Sequence, residues 1–330
     1  MTAPWRILSL PPIGEEIMRG LFAPLGETAE VVFPQARDRS CLLAELPGAD
    51  IVIGDFTGRL ALDAEAVAAA RRVSFVQMPA VGTDSIDVAA LTARNVPLAN
   101  AAGFNARGVA EWTVGAAFAL CRNLAWGDRA VRAGEWPQME MAGRFPREIH
   151  TQRVGIVGFG AIGSEAARLF AALGCAVSYW TRRRRPGAAA TYRELDDLVS
   201  TSDILVLALP LTDETRGLIG PERLALLPDK ALLVNVARGG IAPDDAVLAA
   251  LDSGRLASAA LDVYDEEPLP AGHPLRARED VLLSPHTAGA SAQSQVNLIS
   301  MVRDNVTAAV LGRDVQNVVN GVNPQVKRRR

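Results

Sequence analysis

The chain has 330 residues, 49% of them hydrophobic and 22% charged, with a formal net charge of −3. That length exceeds the size at which a single core keeps growing, so two domains are expected in an ordinary globular protein. The small negative charge gives no general attraction to nucleic acid or to a membrane surface, and no apolar run approaches the ~20 residues that span a bilayer.

From the N-terminus there is no basic segment leading into an apolar one with a cleavage site, so a cytoplasmic location is expected. Short apolar runs at 7–10, 31–33, 51–53, 73–78 and 97–99 alternate with helical patterns at 15–25, 41–46, 63–70 and 87–94. Such alternation predicts a parallel sheet covered by helices. The fourth run feeds PAVGTD at 79–84, where Gly82 lets the backbone turn at the carboxyl end of a strand. Ligands of open α/β sheets bind at such ends, though a plain strand-to-helix connection reads the same way.

A long helix is predicted over 105–124, with Asn105 as its N-cap and Val109, Trp112, Thr113, Ala116 and Leu120 as its apolar stripe. A domain crossing is placed just before it, near Phe104. Residues 126–150 read as an irregular, Gly- and Pro-rich loop carrying Trp126, Trp136, Met139, Met141 and Phe145. Large apolar groups on a long loop need a surface to pack against, and a dimer partner is the first expectation.

The stretch VGIVGFGAIGSEAARLFAALGCAVSYWTRRRR then reads as strand, glycine turn, helix and strand. A lone GxGxxG is weak, but this one follows a strand and opens a helix within a unit of about 30 residues, as a dinucleotide fold requires. Gly158 permits the tight turn, Gly160 lets the backbone approach a pyrophosphate, and Gly163 lets helix and sheet pack closely. The pyrophosphate would lie at the helix N-terminus. Further strands follow at 203–209, 231–237, 257–263 and 281–284, with a well-marked helix at 244–253 and a final one at 290–311. The terminal VKRRR reads as a solvated, frayed charge run. Cys41, Cys121 and Cys175 sit singly in apolar surroundings and read as small core residues of a reducing compartment, not as disulfides or metal ligands.

Three histidines are present. His150 lies in the irregular loop and His273 in a proline-rich turn expected to face solvent, whereas His286 ends the strand before TAGA, at the carboxyl edge of the nucleotide sheet. That is the place for a proton donor. Arg238 follows LLVNVA on the same edge, Asp262 lies in ASAALDVY, and Glu266 and Glu267 are read either as functional acids or as a solvated acidic loop.

Taken together, VGTDSIDVAAL, NARGVAEW, VGIVGFGAIG, LALPLTDETRGLI, NVARGGIAPDDAVLAAL, ALDVYDEEPLP and SPHTAG resemble the D-isomer-specific 2-hydroxyacid dehydrogenases, in order and spacing, over nearly the whole chain. That family includes glyoxylate and hydroxypyruvate reductases and phosphoglycerate dehydrogenase. The resemblance implies two Rossmann-like or flavodoxin-like parallel-sheet α/β domains with the active site in the cleft between them. The substrate domain would be residues 1–104 plus 287–330, and the NAD(P)-binding domain residues 105–286. It implies that Arg238 binds the substrate carboxylate and polarises its carbonyl, as a planar fork of donors suits. It implies that His286 is the acid of ketone reduction and that Glu267 hydrogen-bonds it and favours imidazolium. Amides around Val81 and Gly82 would hold the other end of the carboxylate. Cofactor contacts would come from Gly158, Gly160, Ala161, Ile162, Gly163, Thr181, Arg182, Arg183, Pro210, Val236, Ala237, Asp262 and Gly289. No metal is implied, and a homodimer is expected.

Two departures from the family pattern matter. NAD-specific members carry an acid about 20 residues past the glycine motif, where it bonds the ribose hydroxyls. Here that place holds Thr181 with Arg182–Arg185 following, so NADP(H) is expected ahead of NAD(H), against the alternative of a merely solvated arginine loop. Trp112 stands where many members have histidine, and no role is assigned to it. A chain of this length also leaves no room for the regulatory domain of many phosphoglycerate dehydrogenases, which turns expectation away from serine biosynthesis.

The leading expectation is therefore reduction of a small 2-keto acid to the D-2-hydroxy acid. One alternative is a dehydrogenase for a bulky or phosphonate-bearing acid, with Arg144 and Arg147 of the 136–147 loop lining a larger site. Another is a nucleotide-sensing corepressor, a class found in one branch of the family, against which the intact Arg238, Glu267 and His286 set weighs.

Overall fold

A computed structural model describes residues 3–329, which divide into two compact units, one running to Phe104 and resuming at Ala292, the other spanning Asn105–Ser291. The first unit alternates β1 (Trp5–Ser9), α1 (Glu15–Phe22), β2 (Ala29–Val32), α2 (Arg39–Glu45), β3 (Ile51–Ile53), α3 (Ala64–Ala69), β4 (Phe75–Gln77), α4 (Val88–Ala93) and β5 (Leu98–Ala99). Its five strands form a parallel sheet in the order β2-β1-β3-β4-β5. The continuous apolar runs of the sequence follow from this, because a parallel strand is covered on both faces. Leu8, Val52 and Val76 belong to one core layer with Leu42, Val67 and Leu91, while Ile7, Ile51 and Phe75 belong to the other, with Val302 and Val306 of the C-terminal helix. Asp38, Asp63 and Asp87 each accept a backbone N–H at the start of α2, α3 and α4.

The second unit holds α5 (Ala106–Cys121), α6 (Leu124–Arg132), α7 (Gln138–Gly143), β6 (Arg153–Val157), α8 (Ala161–Ala172), β7 (Ala176–Trp180), β8 (Thr191–Tyr192), α9 (Leu195–Ser200), β9 (Ile204–Leu207), α10 (Pro221–Leu226), β10 (Ala231–Asn235), α11 (Asp244–Asp252), β11 (Leu256–Leu261) and β12 (Val281–Leu283); α12 (Ala292–Val310) returns to the first unit. The sheet has seven parallel strands in the order β12-β11-β10-β9-β6-β7-β8. Strand order reverses between β6 and β9, and such a reversal opens a crevice at the carboxyl ends.

Several expectations are corrected. The stretch expected to be an irregular loop contains α6 and α7, and the long helix before it breaks at Asn123, whose φ of 52° is left-handed. Asn105 precedes α5 without a side-chain cap bond. Residues 287–291, expected to belong to the first unit, stay with the second, where the Asp262 carboxylate accepts the Thr287 and Ala288 N–H groups. Of the terminal arginines, Arg328 and Arg329 are not frayed, and Arg330 lies outside the described residues. Arg328 pairs with the buried Asp50 at 2.6 Å, beside the Arg72 pair at 3.0 Å, and Arg329 donates to the Arg94 and Asn95 carbonyls. Cys121 and Cys175 are buried, with burial pushing the Cys121 thiol up to about 11, whereas Cys41 is only half-buried.

Candidate functional site

Candidate residues follow the parallel strands of the second sheet and so reach the same edge: Gly158 after β6, Thr181 after β7, Pro210 after β9, Val236, Ala237 and Arg238 after β10, Asp262 after β11 and His286 after β12. The glycine turn separates structural from ligand demands. A Cβ at Gly158 (φ 97°) would meet the Ala208 carbonyl oxygen at 2.4 Å, and one at Gly163 would lie 2.0 Å from the Gly158 oxygen. Both glycines are needed by the protein's own packing. At Gly160 a Cβ would meet nothing within 4 Å, so the space left there, at the N-terminus of α8 beside Ala161 and Ile162, is open to a ligand. A pyrophosphate fits that opening and the unpaired amides behind it.

His286 stands in a tightly specified loop. Its Nδ1 lies 2.6 Å from Glu267 Oε2, and the other Glu267 oxygen accepts the Tyr264 N–H at 3.1 Å. An ionised carboxylate only accepts, so Nδ1 carries the hydrogen and Nε2 is left to exchange a proton. The backbone of His286 is left-handed, φ 56°, a conformation that costs a non-glycine residue about 1–2 kcal/mol and persists only where its surroundings impose it. Asp262 imposes it. Only 2% exposed, it takes the His286 N–H on its carbonyl at 2.9 Å, and its carboxylate takes Ser284 Oγ, Thr287 N–H and Ala288 N–H at 2.5, 2.8 and 2.9 Å. This holding role was not read from the sequence; an acid inside the apolar run ASAALDVY was the available signal. A depression of about 490 Å³ opens beside the pair, lined by Tyr264, Leu269, Leu283 and Pro285 among others. Arg238 is half-buried at the end of β10, with Nη1 donating to the Ala237 carbonyl at 2.7 Å and its own carbonyl accepting from Asn235 Nδ2.

An imidazole backed by a carboxylate, a guanidinium at the end of another strand and an anion-ready helix terminus share one sheet edge, a set of groups suited to proton exchange at a small anionic substrate. Residues 114–288 match the D-isomer specific 2-hydroxyacid dehydrogenase NAD binding domain. A glyoxylate reductase of Aeropyrum pernix is 38% identical over 288 residues, 84% of this chain and 85% of that protein. The chain belongs to the D-isomer specific 2-hydroxyacid dehydrogenase family. A D-3-phosphoglycerate dehydrogenase of Archaeoglobus fulgidus is 30% identical over 96% of this chain, which spans 59% of that longer protein. Among solved structures, the NAD-dependent formate dehydrogenase of Staphylococcus aureus in complex with NAD aligns with a TM-score of 0.79 at 28% identity, covering 92% of this chain and 95% of that one. These are oxidoreductases, and this dehydrogenase carries the NAD-binding domain of its family.

The dehydrogenase places the remaining sequence candidates as follows. Thr181 is half-buried at the end of β7 and Arg182–Arg185 are exposed, with Arg182 3.8 Å from Glu214 and Arg184 over the Tyr192 ring. The Tyr179 hydroxyl holds the Arg185 backbone at both its N–H and its carbonyl. Pro210 is exposed and its carbonyl accepts from Thr215, while Val236 and Ala237 are buried beneath Arg238. Gly289 leaves room for the Asn105 side chain, which a Cβ would meet at 2.4 Å. Val81 and Gly82 lie in the first unit, past β4. The Val81 carbonyl accepts Asn100 Nδ2 at 2.7 Å, while the N–H groups of both residues donate to no acceptor among the described residues. His273 does not face solvent as expected, because it packs against Asp244.

Arg144 stacks 3.9 Å from the Trp126 ring and Arg147 donates to the Lys230 carbonyl, so both arginines invoked for a bulky or phosphonate-bearing substrate are already engaged in the fold. Among the described residues no helix is long and apolar enough to cross a membrane, and no group of three or more His, Cys, Asp or Glu is placed to hold a metal ion.

Proposed function

We propose that the protein reduces a small 2-keto acid, of the glyoxylate or hydroxypyruvate type, to its D-2-hydroxy acid, with NADP(H) preferred to NAD(H). The observation that carries this reading is the 2.6 Å His286–Glu267 pair on the same strand edge as Arg238 and the open Gly160 turn. Arg238 pairs with the substrate carboxylate and draws electron density from the adjacent carbonyl. In the first unit, the amides of Val81 and Gly82 are donors suited to a carboxylate oxygen. A bound nicotinamide supplies the hydride. His286 Nε2 delivers the proton to the carbonyl oxygen as it becomes an alkoxide, and Glu267 keeps Nδ1 protonated and the ring aimed. In the oxidative direction the same Nε2 takes the proton back.

The cofactor preference rests on Thr181, Arg182 and Arg183 standing where an acid would repel a 2′-phosphate. Pro210, Val236, Ala237, Asp262 and Gly289 line the rest of the cofactor's path in this reading. Trp136, Met139 and Phe145, at 80%, 83% and 77% exposed, fit burial against a second copy, which light scattering would register as a dimer.

The test is loss of NADPH or NADH absorbance with glyoxylate, hydroxypyruvate, pyruvate and phenylpyruvate, each with both cofactors. Turnover of the small acids with NADPH preferred is expected. A preference for NADH would remove the phosphate site and leave the reductase, whereas no turnover with any pair would overturn the reading.

A further inference from the structure

Behind the sheet edge, two loops are clasped to one another. The backbone N–H of Asp244, the first residue of α11, donates to Asp265 Oδ2 at 2.9 Å, and the N–H of Asp265 donates back to Asp244 Oδ2 at 3.3 Å. Each carboxylate thus satisfies the other's amide, and Asp265 places negative charge at a helix N-terminus, where it is favoured. His273 closes the group. Its Nδ1 accepts the Leu275 N–H at 3.3 Å, which leaves Nε2 to face Asp244 Oδ2 at 3.6 Å. Asp244 is only 5% exposed, so these contacts fix its side chain in one place.

The clasp joins the segment that carries Arg238 to the one that carries Glu267. Arg238 lies on the first segment, and the next residue, Gly239, runs so close to the second that a Cβ there would fall 2.0 Å from the Tyr264 carbonyl and 2.4 Å from the Asp265 nitrogen. On the second segment the Tyr264 N–H holds Glu267 Oε1 at 3.1 Å, and Glu267 holds His286. The Tyr264 hydroxyl lies 2.8 Å from the Ser284 carbonyl and accepts the Ser284 N–H at 3.1 Å, which ties the same segment to the strand end leading to His286.

We infer that Asp244 and Asp265 are positioning residues: their reciprocal carboxylate–amide clasp sets the distance between the Arg238 guanidinium and the Glu267–His286 pair. The inference rests on the roles proposed above for Arg238, Glu267 and His286. Neither aspartate is among the residues proposed to line the cofactor's path, and the glycine turn and the arginine loop belong to other strand ends. Loosening the clasp leaves cofactor binding intact and lets the carboxylate-binding group drift from the proton donor.

The experiment compares Asp265→Ala, Asp244→Ala, the double variant, Asp265→Asn, Arg238→Ala and His286→Ala in NADPH-dependent glyoxylate reduction. NADPH binding is followed by quenching of tryptophan fluorescence. Asp265→Ala is expected to lower kcat between about tenfold and a hundredfold, the scale of an ångström-sized misplacement, with NADPH affinity unchanged to within about twofold. Asp265→Asn, whose carboxamide oxygen still accepts the Asp244 N–H, restores turnover, and the double variant is no slower than Asp265→Ala because the clasp acts as one unit. Should Asp265→Ala not fold, Asp244→Ala, which loses the longer of the two bonds, carries the same expectation at smaller size. Full kcat in the folded alanine variants, or additive losses in the double variant, would overturn the inference while Arg238→Ala and His286→Ala remain inactive. Turnover retained by those last two would overturn the underlying roles as well.

Discussion

The loop after β12 and the loop after β7 end parallel strands of the same sheet, yet they are held in opposite ways. In the first, three hydrogen bonds to the carboxylate of one buried acid and a left-handed backbone fix His286 before any ligand arrives. In the second, the backbone is pinned by Tyr179 at Arg185, while the guanidinium groups of Arg182 and Arg183 extend into solvent on long side chains. Proton transfer needs a geometry accurate to fractions of an ångström, so its loop is preorganised. Recognition of a phosphate tolerates a flexible cation, because charge attraction falls off slowly with distance. Substitutions in the first loop should therefore act on turnover, and those in the second on cofactor affinity.

The sharpest break comes from His286→Ala. Loss of the proton donor is expected to lower kcat by about 10²–10⁴-fold with NADPH affinity retained, measured by turnover alongside fluorescence titration. Asp262→Asn comes next. It points an amide NH₂ at a backbone N–H, and the unmet donor should cost about 1–3 kcal/mol of stability in thermal unfolding as well as slowing turnover. A lower Tm with unchanged kcat would strip Asp262 of its hold on His286. On the other side of the comparison, replacing Arg182 and Arg183 together with Ala should raise KM for NADPH about tenfold or more, leaving kcat and KM for NADH unaltered. An equal rise for both cofactors would show that the arginines do not read the phosphate.

The smallest effect is expected at Asp244. Burial, then the facing Asp265 carboxylate, hold its carboxyl above the usual range, with His273 opposing and Asp245 adding to the shift. An acid whose folded value lies above its unfolded one destabilises the fold at pH above both, and that loss disappears as pH falls through the folded value. Asp244→Asn is expected to raise Tm slightly at neutral pH, with the gain shrinking on acidification. A gain that grows on acidification would reverse the assignment.

Legibility in the sequence tracked the range of the interactions involved. The parallel strands other than β8, and the glycine turn, read directly from apolar runs and spacing, because they depend on neighbours within a few residues. The helices α6 and α7 did not, because Gly127, Gly134 and Pro137 dominate a local reading, whereas Trp126 and Ala130 owe their place to burial in the tertiary fold. Arg328 read as solvated because its partner, Asp50, lies 278 residues away. His273 failed likewise, as nothing within its turn announces Asp244. At the edge itself, Arg238 and His286 could be picked out as residue types at strand ends and Glu267 only through the family resemblance, but the grip of Asp262 on the His286 backbone exists only once β11 and β12 lie side by side.

The first sheet is completed by the last part of the chain. Val302 and Val306 of α12 fill its core layer, and Arg328 reaches Asp50 beneath it. On a ribosome, residues up to Phe104 emerge early and then lack their covering helix until Ala292 has been made, a wait of roughly 10–40 s at common elongation rates. The unit spanning Asn105–Ser291 is continuous and meets no such delay. During synthesis the continuous nucleotide-binding unit therefore has all its strands and helices available before the first unit receives α12, the helix whose Val302 and Val306 close the apolar face of the first sheet.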